Sequence, residues 1–147
     1  MNSKDFILSV FRDVGRADAL SLRSRAAEMD DTAIIAEEHK IPAWDAGKDY
    51  SAYPAGAPVT FGGNVFGLLQ PHNASHYTGD PATLPALWNP KHTKDAAHAK
   101  VWLAPNGTSG LYHTGECCVF GDKVYRSKAD NNPYSPADYP AWWEVVA

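Results

Sequence analysis

Near the carboxyl terminus Trp142 and Trp143 stand side by side, with Tyr134 and Tyr139 just upstream and Asn131 and Asn132 before them. Flat indole and phenol faces can stack on the axial C–H groups of a pyranose, while amides or carboxylates at the rim serve its hydroxyls. In an extended segment neighbouring side chains point to opposite faces, so one tryptophan turns inward and the next outward. Trp142 is the expected platform, because the corresponding position earlier in the chain is Leu87. Tyr134, Tyr139, Tyr77 and Asn131 are the further candidates for the same glycan-binding surface. The opposing reading packs these rings against another module or another subunit.

Other residue types support no chemistry. His72 and His76 are four apart, but Pro71, Asn73 and Ser75 disfavour a helix there and no third ligand stands at a metal-site spacing. Cys117 and Cys118, the two cysteines, are adjacent, so in a strand they face opposite ways and remain free thiols. No Ser-His-Asp or Cys-His arrangement and no nucleophile elbow can be read. The acidic pairs Asp30-Asp31 and Glu37-Glu38 read as a solvated helix face. The expectation is a protein that is not an enzyme and uses no metal and no cofactor.

The elements that would hold the rings come from a repeat. The stretch from Tyr53 to Phe66 returns from Tyr112 to Tyr125 at an offset of 59, with Tyr, Gly, Phe, Gly and Val recurring. Trp44 is answered by Trp102, and Pro81-x3-Pro85-Ala86-Leu87-Trp88 by Pro136-x3-Pro140-Ala141-Trp142-Trp143. Gly62-Gly63 and Gly121-Asp122 are predicted two-residue hairpin turns, the second with glycine first as a type II′ turn prefers. Pairing Phe61 with Asn64 sets Val59 opposite Phe66 and puts Val59, Phe61 and Phe66 on one face; Cys118, Phe120 and Tyr125 share the corresponding face of the second copy. A lone hairpin is marginal in water, so Trp44, Trp88, Trp102 and Trp143 are expected to cover the two ribbons.

Residues 1–40 differ, with no Trp, Tyr or Pro. Helical spacing predicts one helix from Ser3 to Gly15, a second from Asp18 with Leu20, Leu22, Ala26, Ala27 and Met29 as its apolar positions, and a third capped by Asp31 or Thr32 and ended by Pro42. Each is too short to stand alone and must dock. The division read from this is a helical anchoring or oligomerisation segment over 1–40, a β module over 41–88, a polar linker over 89–100 and a second β module over 101–147. The fold class is α+β.

At 147 residues with 44% hydrophobic and 12% aromatic content, the chain has material for a core. A net charge of −4 argues against nucleic acid as a partner. No apolar run approaches the roughly 18 residues of a membrane span, and the first residues lack the pattern of a secretory signal. Synthesis in a cytoplasm, without membrane insertion, is the expectation.

The order Trp, Tyr-x2-Gly, Val or Cys, turn, Val-aromatic, then Pro and a closing Trp resembles the small chitin-binding module appended to many chitinases and cellulases, over residues 41–88 and 101–146. Phage and prophage tail-associated proteins are similar in a further respect: a short helical start, a Pro-x-Trp opening (Pro42-Ala43-Trp44) and a module ending like Leu84-Pro85-Ala86-Leu87-Trp88. In the sugar-binding relatives an exposed aromatic pair follows the second hairpin strand, where this chain has about Gln70-Pro71 and Ala129-Asp130. The resemblance implies a virion component, at a tail or other exposed surface, that engages host or environmental glycans, contacts other virion proteins and forms a homo-oligomer. The alternatives are a purely structural decoration or assembly protein that binds no sugar, and a detached accessory module of a cell-wall hydrolase.

Overall fold

The computed structural model describes residues 17–147. The expected helix from Ser3 to Gly15 lies outside the described residues. The fold is α+β: a short helical segment followed by two small β modules. Helix α1 runs over residues 17–25, continues as a 3-10 turn at Ala26–Glu28, and is followed by α2 at Asp31–Ala36. The first sheet has the order β1-β2-β3, from Pro58–Phe61, Asn64–Leu68 and Trp88–Lys91. The second has the order β4-β5-β6-β7, from Lys100–Val101, Cys117–Phe120, Lys123–Ser127 and Trp143–Val145.

Both hairpins adopt the register expected from the repeat. Val59 lies opposite Phe66 and Phe61 opposite Asn64; Cys118 lies opposite Tyr125 and Phe120 opposite Lys123. Every pair is displaced by 59 between copies. The turns explain why glycine sits where it does: Gly62 and Gly63 both have positive φ, whereas only Gly121 does in Gly121-Asp122, so the first turn has I′-like and the second II′-like backbone signs. The lead-in segments match too. Trp102 donates its N–H to Val119 from the parallel strand β4, and Trp44 donates to Thr60 through a single parallel bridge at Ala43.

One part of the repeat is corrected by the structure. Tyr112 corresponds to Tyr50, not to Tyr53. The Tyr50 hydroxyl accepts from the Asp45 N–H at 3.0 Å and that of Tyr112 from the Leu103 N–H at 3.2 Å. Each ring lies edge-on to the closing tryptophan of its module, Trp88 at 5.1 Å and Trp143 at 5.3 Å. Ser51, Ala52 and Tyr53 are therefore an insertion in the first copy. Tyr53 mimics a repeat position by sequence spacing alone, and its ring instead carries the Arg23 guanidinium of α1 at 4.0 Å.

The helical segment docks on the first module. Leu22, Ala26, Ile34, Ile35 and Ile41 enclose Val65, on the side of the first hairpin opposite Val59 and Phe66. Leu20 and Ala27, expected among the apolar positions, are exposed instead, because the buried stripe of α1 runs through Leu22 and Ala26. Helix α2 begins one residue earlier than expected: Asp30 is its cap, its carboxylate accepting from the Ala33 N–H at 2.8 Å. This leaves Asp31 and Thr32 free for another task. Asp31 accepts from the His92 N–H at 3.2 Å and pairs with Lys91 at 3.3 Å, and the Thr32 hydroxyl accepts from the Lys94 N–H at 3.0 Å.

The stretch 89–100, expected as a polar linker, is thus built into the fold. It completes β3, buries His92 and Thr93, and starts β4. The His92 ring stacks on Tyr112 at 3.8 Å and its Nε2 lies 2.9 Å from the Gly110 carbonyl oxygen. Leu103 packs against the first core, and Lys100 pairs with Glu38. Thus the linker residues form a seam between modules rather than a tether.

Candidate functional site

The sequence positions singled out at the carboxyl terminus converge. Ser135 starts a turn in which its hydroxyl accepts from the Asp138 N–H at 3.0 Å and its carbonyl accepts from Tyr139 at 3.1 Å. Pro140, with its φ already fixed, opens the 3-10 turn Pro140–Trp142. Trp142 ends that turn and Trp143 begins β7: Trp143 is buried as expected, while Trp142, expected to point outward from a strand, lies in the 3-10 turn and is half-buried against the cluster of Tyr112, Cys118 and Trp143.

The result is a triad of rings. Tyr134 and Tyr139 are stacked with centroids 5.2 Å apart and 28° between planes, and Trp142 stands edge-on to both at 5.6 and 5.3 Å. Tyr134 is 43% and Tyr139 42% exposed. The backbone of Tyr134 is held from two sides. Its N–H donates to the buried Asn132 Oδ1 at 3.0 Å, and its carbonyl accepts from the Trp143 indole N–H at 3.1 Å. Asn132 in turn donates to Ser127 at the end of β6. Exposed rings on a backbone braced in this way lose little freedom when a ligand covers them.

Two candidates lie outside the triad. Tyr77 is exposed on the first module, edge-on to His72 at 5.4 Å. Asn131 is exposed with a φ of 50°, and its N–H points to His113 Nδ1 at 3.3 Å; it shapes the turn leading to Tyr134. The acceptor that sequence reading passed over is Asp138, exposed and adjacent to Tyr139. Its signal was the Ser-Pro-x-Asp run, which sets up the turn at Ser135.

The same loop in the first module carries no such surface. Matching hydrogen bonds, Leu69 N–H to Leu87 and Lys128 N–H to Trp142, align the two loops at an offset of 55 on the return side. Tyr134, Tyr139 and Trp142 then correspond to Gly79, Leu84 and Leu87. Leu87 is buried, and a side-chain carbon placed on Gly79 would meet Leu84. The closing indole differs as well: the Trp88 N–H is buried without a partner, whereas that of Trp143 is bonded.

The thiols are buried in both faces of β5. Burial pushes the Cys118 thiol up to about 12 and raises that of Cys117, so neither is a thiolate near neutrality. Among the described residues no group of three His, Cys, Asp or Glu could hold a metal ion, and no helix is long and apolar enough to cross a membrane. No protein family and no curated protein matches the chain.

Proposed function

We propose that this protein is a non-catalytic carbohydrate-binding component of a phage or prophage particle, in which the second module engages a glycan and the first supports it. The observation that carries the glycan reading is the triad Tyr134–Tyr139–Trp142, two exposed tyrosines on a half-buried indole, present in one copy of a duplicated module and replaced by Gly79, Leu84 and Leu87 in the other. Aromatic faces beside an exposed carboxylate, Asp138, suit a pyranose chain: the rings take its C–H face and the acid takes a hydroxyl. The particle setting rests on the resemblance of the helical start, Pro42-Ala43-Trp44 and Leu84–Trp88 to tail-associated proteins.

Full-length protein retained on a panel of insoluble polysaccharides and on a glycan array tests the reading. Wild type is expected to be retained on at least one glycan, and Trp142→Ala and Tyr139→Ala to lose that retention tenfold or more while keeping the wild-type circular dichroism. Retention on no glycan leaves the purely structural role in its place.

A further inference from the structure

Arg23 and Lys48 are held differently from the other half-buried cations. Lys40 pairs with Glu37, Lys91 with Asp31, Lys100 with Glu38 and Arg126 with Glu144. No carboxylate of a described residue pairs with Arg23 or Lys48, and both charges rest on one ring instead. The Arg23 guanidinium lies 4.0 Å and the Lys48 ammonium 5.1 Å from the centre of Tyr53, with Lys48 also 5.9 Å from the centre of Tyr50. A ring quadrupole fixes where two such charges sit without neutralising them. The acids of the same loop are committed to their own turns: Asp45 accepts from the Gly47 N–H at 2.8 Å and Asp49 from the Ser51 N–H at 2.9 Å.

Tyr53 belongs to the insertion Ser51-Ala52-Tyr53, which the second module lacks, so the framework of a module closes without it. Its ring stands edge-on to the buried Tyr50 at 5.2 Å, which ties the inserted residue to the first core. Between α1 and this loop lies a cleft of about 280 Å³, walled by Ala19, Leu20, Arg23, Pro42, Lys48 and Tyr53. Leu20, which falls outside the buried stripe of α1, is 53% exposed there. Two uncancelled positive charges and an apolar wall thus line one space.

We propose that this cleft binds a small carboxylate with an apolar body: Arg23 and Lys48 take the two oxygens, and Leu20 and Pro42 take the carbon frame. A guanidinium seated on an aromatic face keeps N–H donors at its rim, and their fork matches a planar carboxylate. The volume admits one ring-sized group rather than a length of polymer. Phosphate has the charge but no apolar body to set against Leu20, and its hydration makes a half-apolar cleft a poor exchange for water. The site is separate from the ring triad, which stands on the other module.

Titration of the full chain with benzoate at fixed ionic strength, followed through the arginine Nε–H resonances, tests this, with benzyl alcohol and inorganic phosphate run alongside. Benzoate is expected to shift the Arg23 signal saturably and to bind at least tenfold more tightly than either control. Arg23→Gln and Lys48→Gln should each weaken benzoate binding at least tenfold while keeping the wild-type circular dichroism. Trp142→Ala should leave it unchanged, which separates this site from glycan retention. No saturable binding of benzoate overturns the proposal, as does binding unchanged by both glutamine variants. Benzyl alcohol binding as tightly overturns it by removing the need for charge, and phosphate binding as tightly by removing the need for the apolar wall. An Arg23 signal that ignores benzoate and moves instead in Asp13→Asn overturns it by giving Arg23 a partner within the chain.

Discussion

The first and second modules share a hairpin register, a lead-in tryptophan and a tyrosine bonded to the segment after it, yet they differ in what surrounds those parts. The first is enclosed: helices cover one face through Val65, its own Tyr50 and Trp88 cover the other with Leu103 of the second module packed against them, and its return loop buries Leu87. The second covers the corresponding face with a smaller cluster of Tyr112, Cys118 and Trp143, leaves Val145 exposed at the edge, and carries three rings on its return loop. The two copies thus differ most in core size and in the return loop, where Gly79, Leu84 and Leu87 of the first stand in place of Tyr134, Tyr139 and Trp142 of the second. The comparison teaches that a repeated framework says little about where a ligand goes; the residues that differ between copies say more.

The largest effects should come from the closing tryptophans. Trp88→Ala and Trp143→Ala remove fully packed rings and should each cost about 3–5 kcal/mol in urea denaturation. Trp88→Ala should cost more, because Trp88 lies edge-on to both Tyr50 and His72 within a cluster of eight buried residues, whereas Trp143 belongs to a cluster of three. Equal losses would erase the distinction between the larger core and the smaller.

Exchanging the loop residues sharpens it. Leu87→Trp should destabilise by about 1–3 kcal/mol, because Leu87 is buried and a larger ring overpacks the site. Trp142→Leu should cost less than this in the same denaturation assay while removing glycan retention.

The seam gives a pH response. Burial holds His92 below its ordinary value of 6.5, with neighbouring Asp31 opposing that shift and His113 adding to it. The unfolded chain therefore takes up this proton first as the pH falls. The contribution of His92 is present above pH 6.5 and is lost progressively as acid carries the pH down through the depressed folded value. Denaturation midpoints measured from pH 7.5 to 5, in about half-unit steps, should fall less steeply in His92→Gln than in wild type.

The smallest effect should be shared. Gly62 and Gly121 have φ values of 60° and 62° with open space around each, so Gly62→Ala and Gly121→Ala should each cost about 1 kcal/mol, from backbone strain alone. Unequal thermal midpoints for the two variants would mean that the hairpin tips are not equivalent.

Much of this framework was legible in the sequence because hairpin geometry is local. Two glycine turns and alternating aromatic and β-branched residues fix the register, whereas the placement of Trp142 did not follow from a strand period, because the 3-10 turn Pro140–Trp142 ends on it. The misassigned Tyr53 shows where that reading fails: an insertion of three residues preserved a convincing spacing, and only the hydroxyl bonds to Asp45 and Leu103 reveal the true pair. The seam was illegible for another reason. Residues 89–100 are polar, and their burial depends on Asp31, Thr32 and Tyr112, partners whose approach no local pattern encodes. Likewise the bracing of Tyr134 by Asn132 and Trp143 is a tertiary arrangement, and Asn132 reads in sequence as an ordinary loop residue.

Helix α2 has a mechanical consequence. Through Asp31 and Thr32 it grips Lys91, His92 and Lys94, in the stretch that joins the two sheets. The neighbouring Thr93 carbonyl accepts from the Cys117 N–H, so hydrogen bonds run without a gap from the ring-bearing strand β7 through β6 and β5 into that joint and on to helix α2, which makes the helical segment and both sheets one connected body.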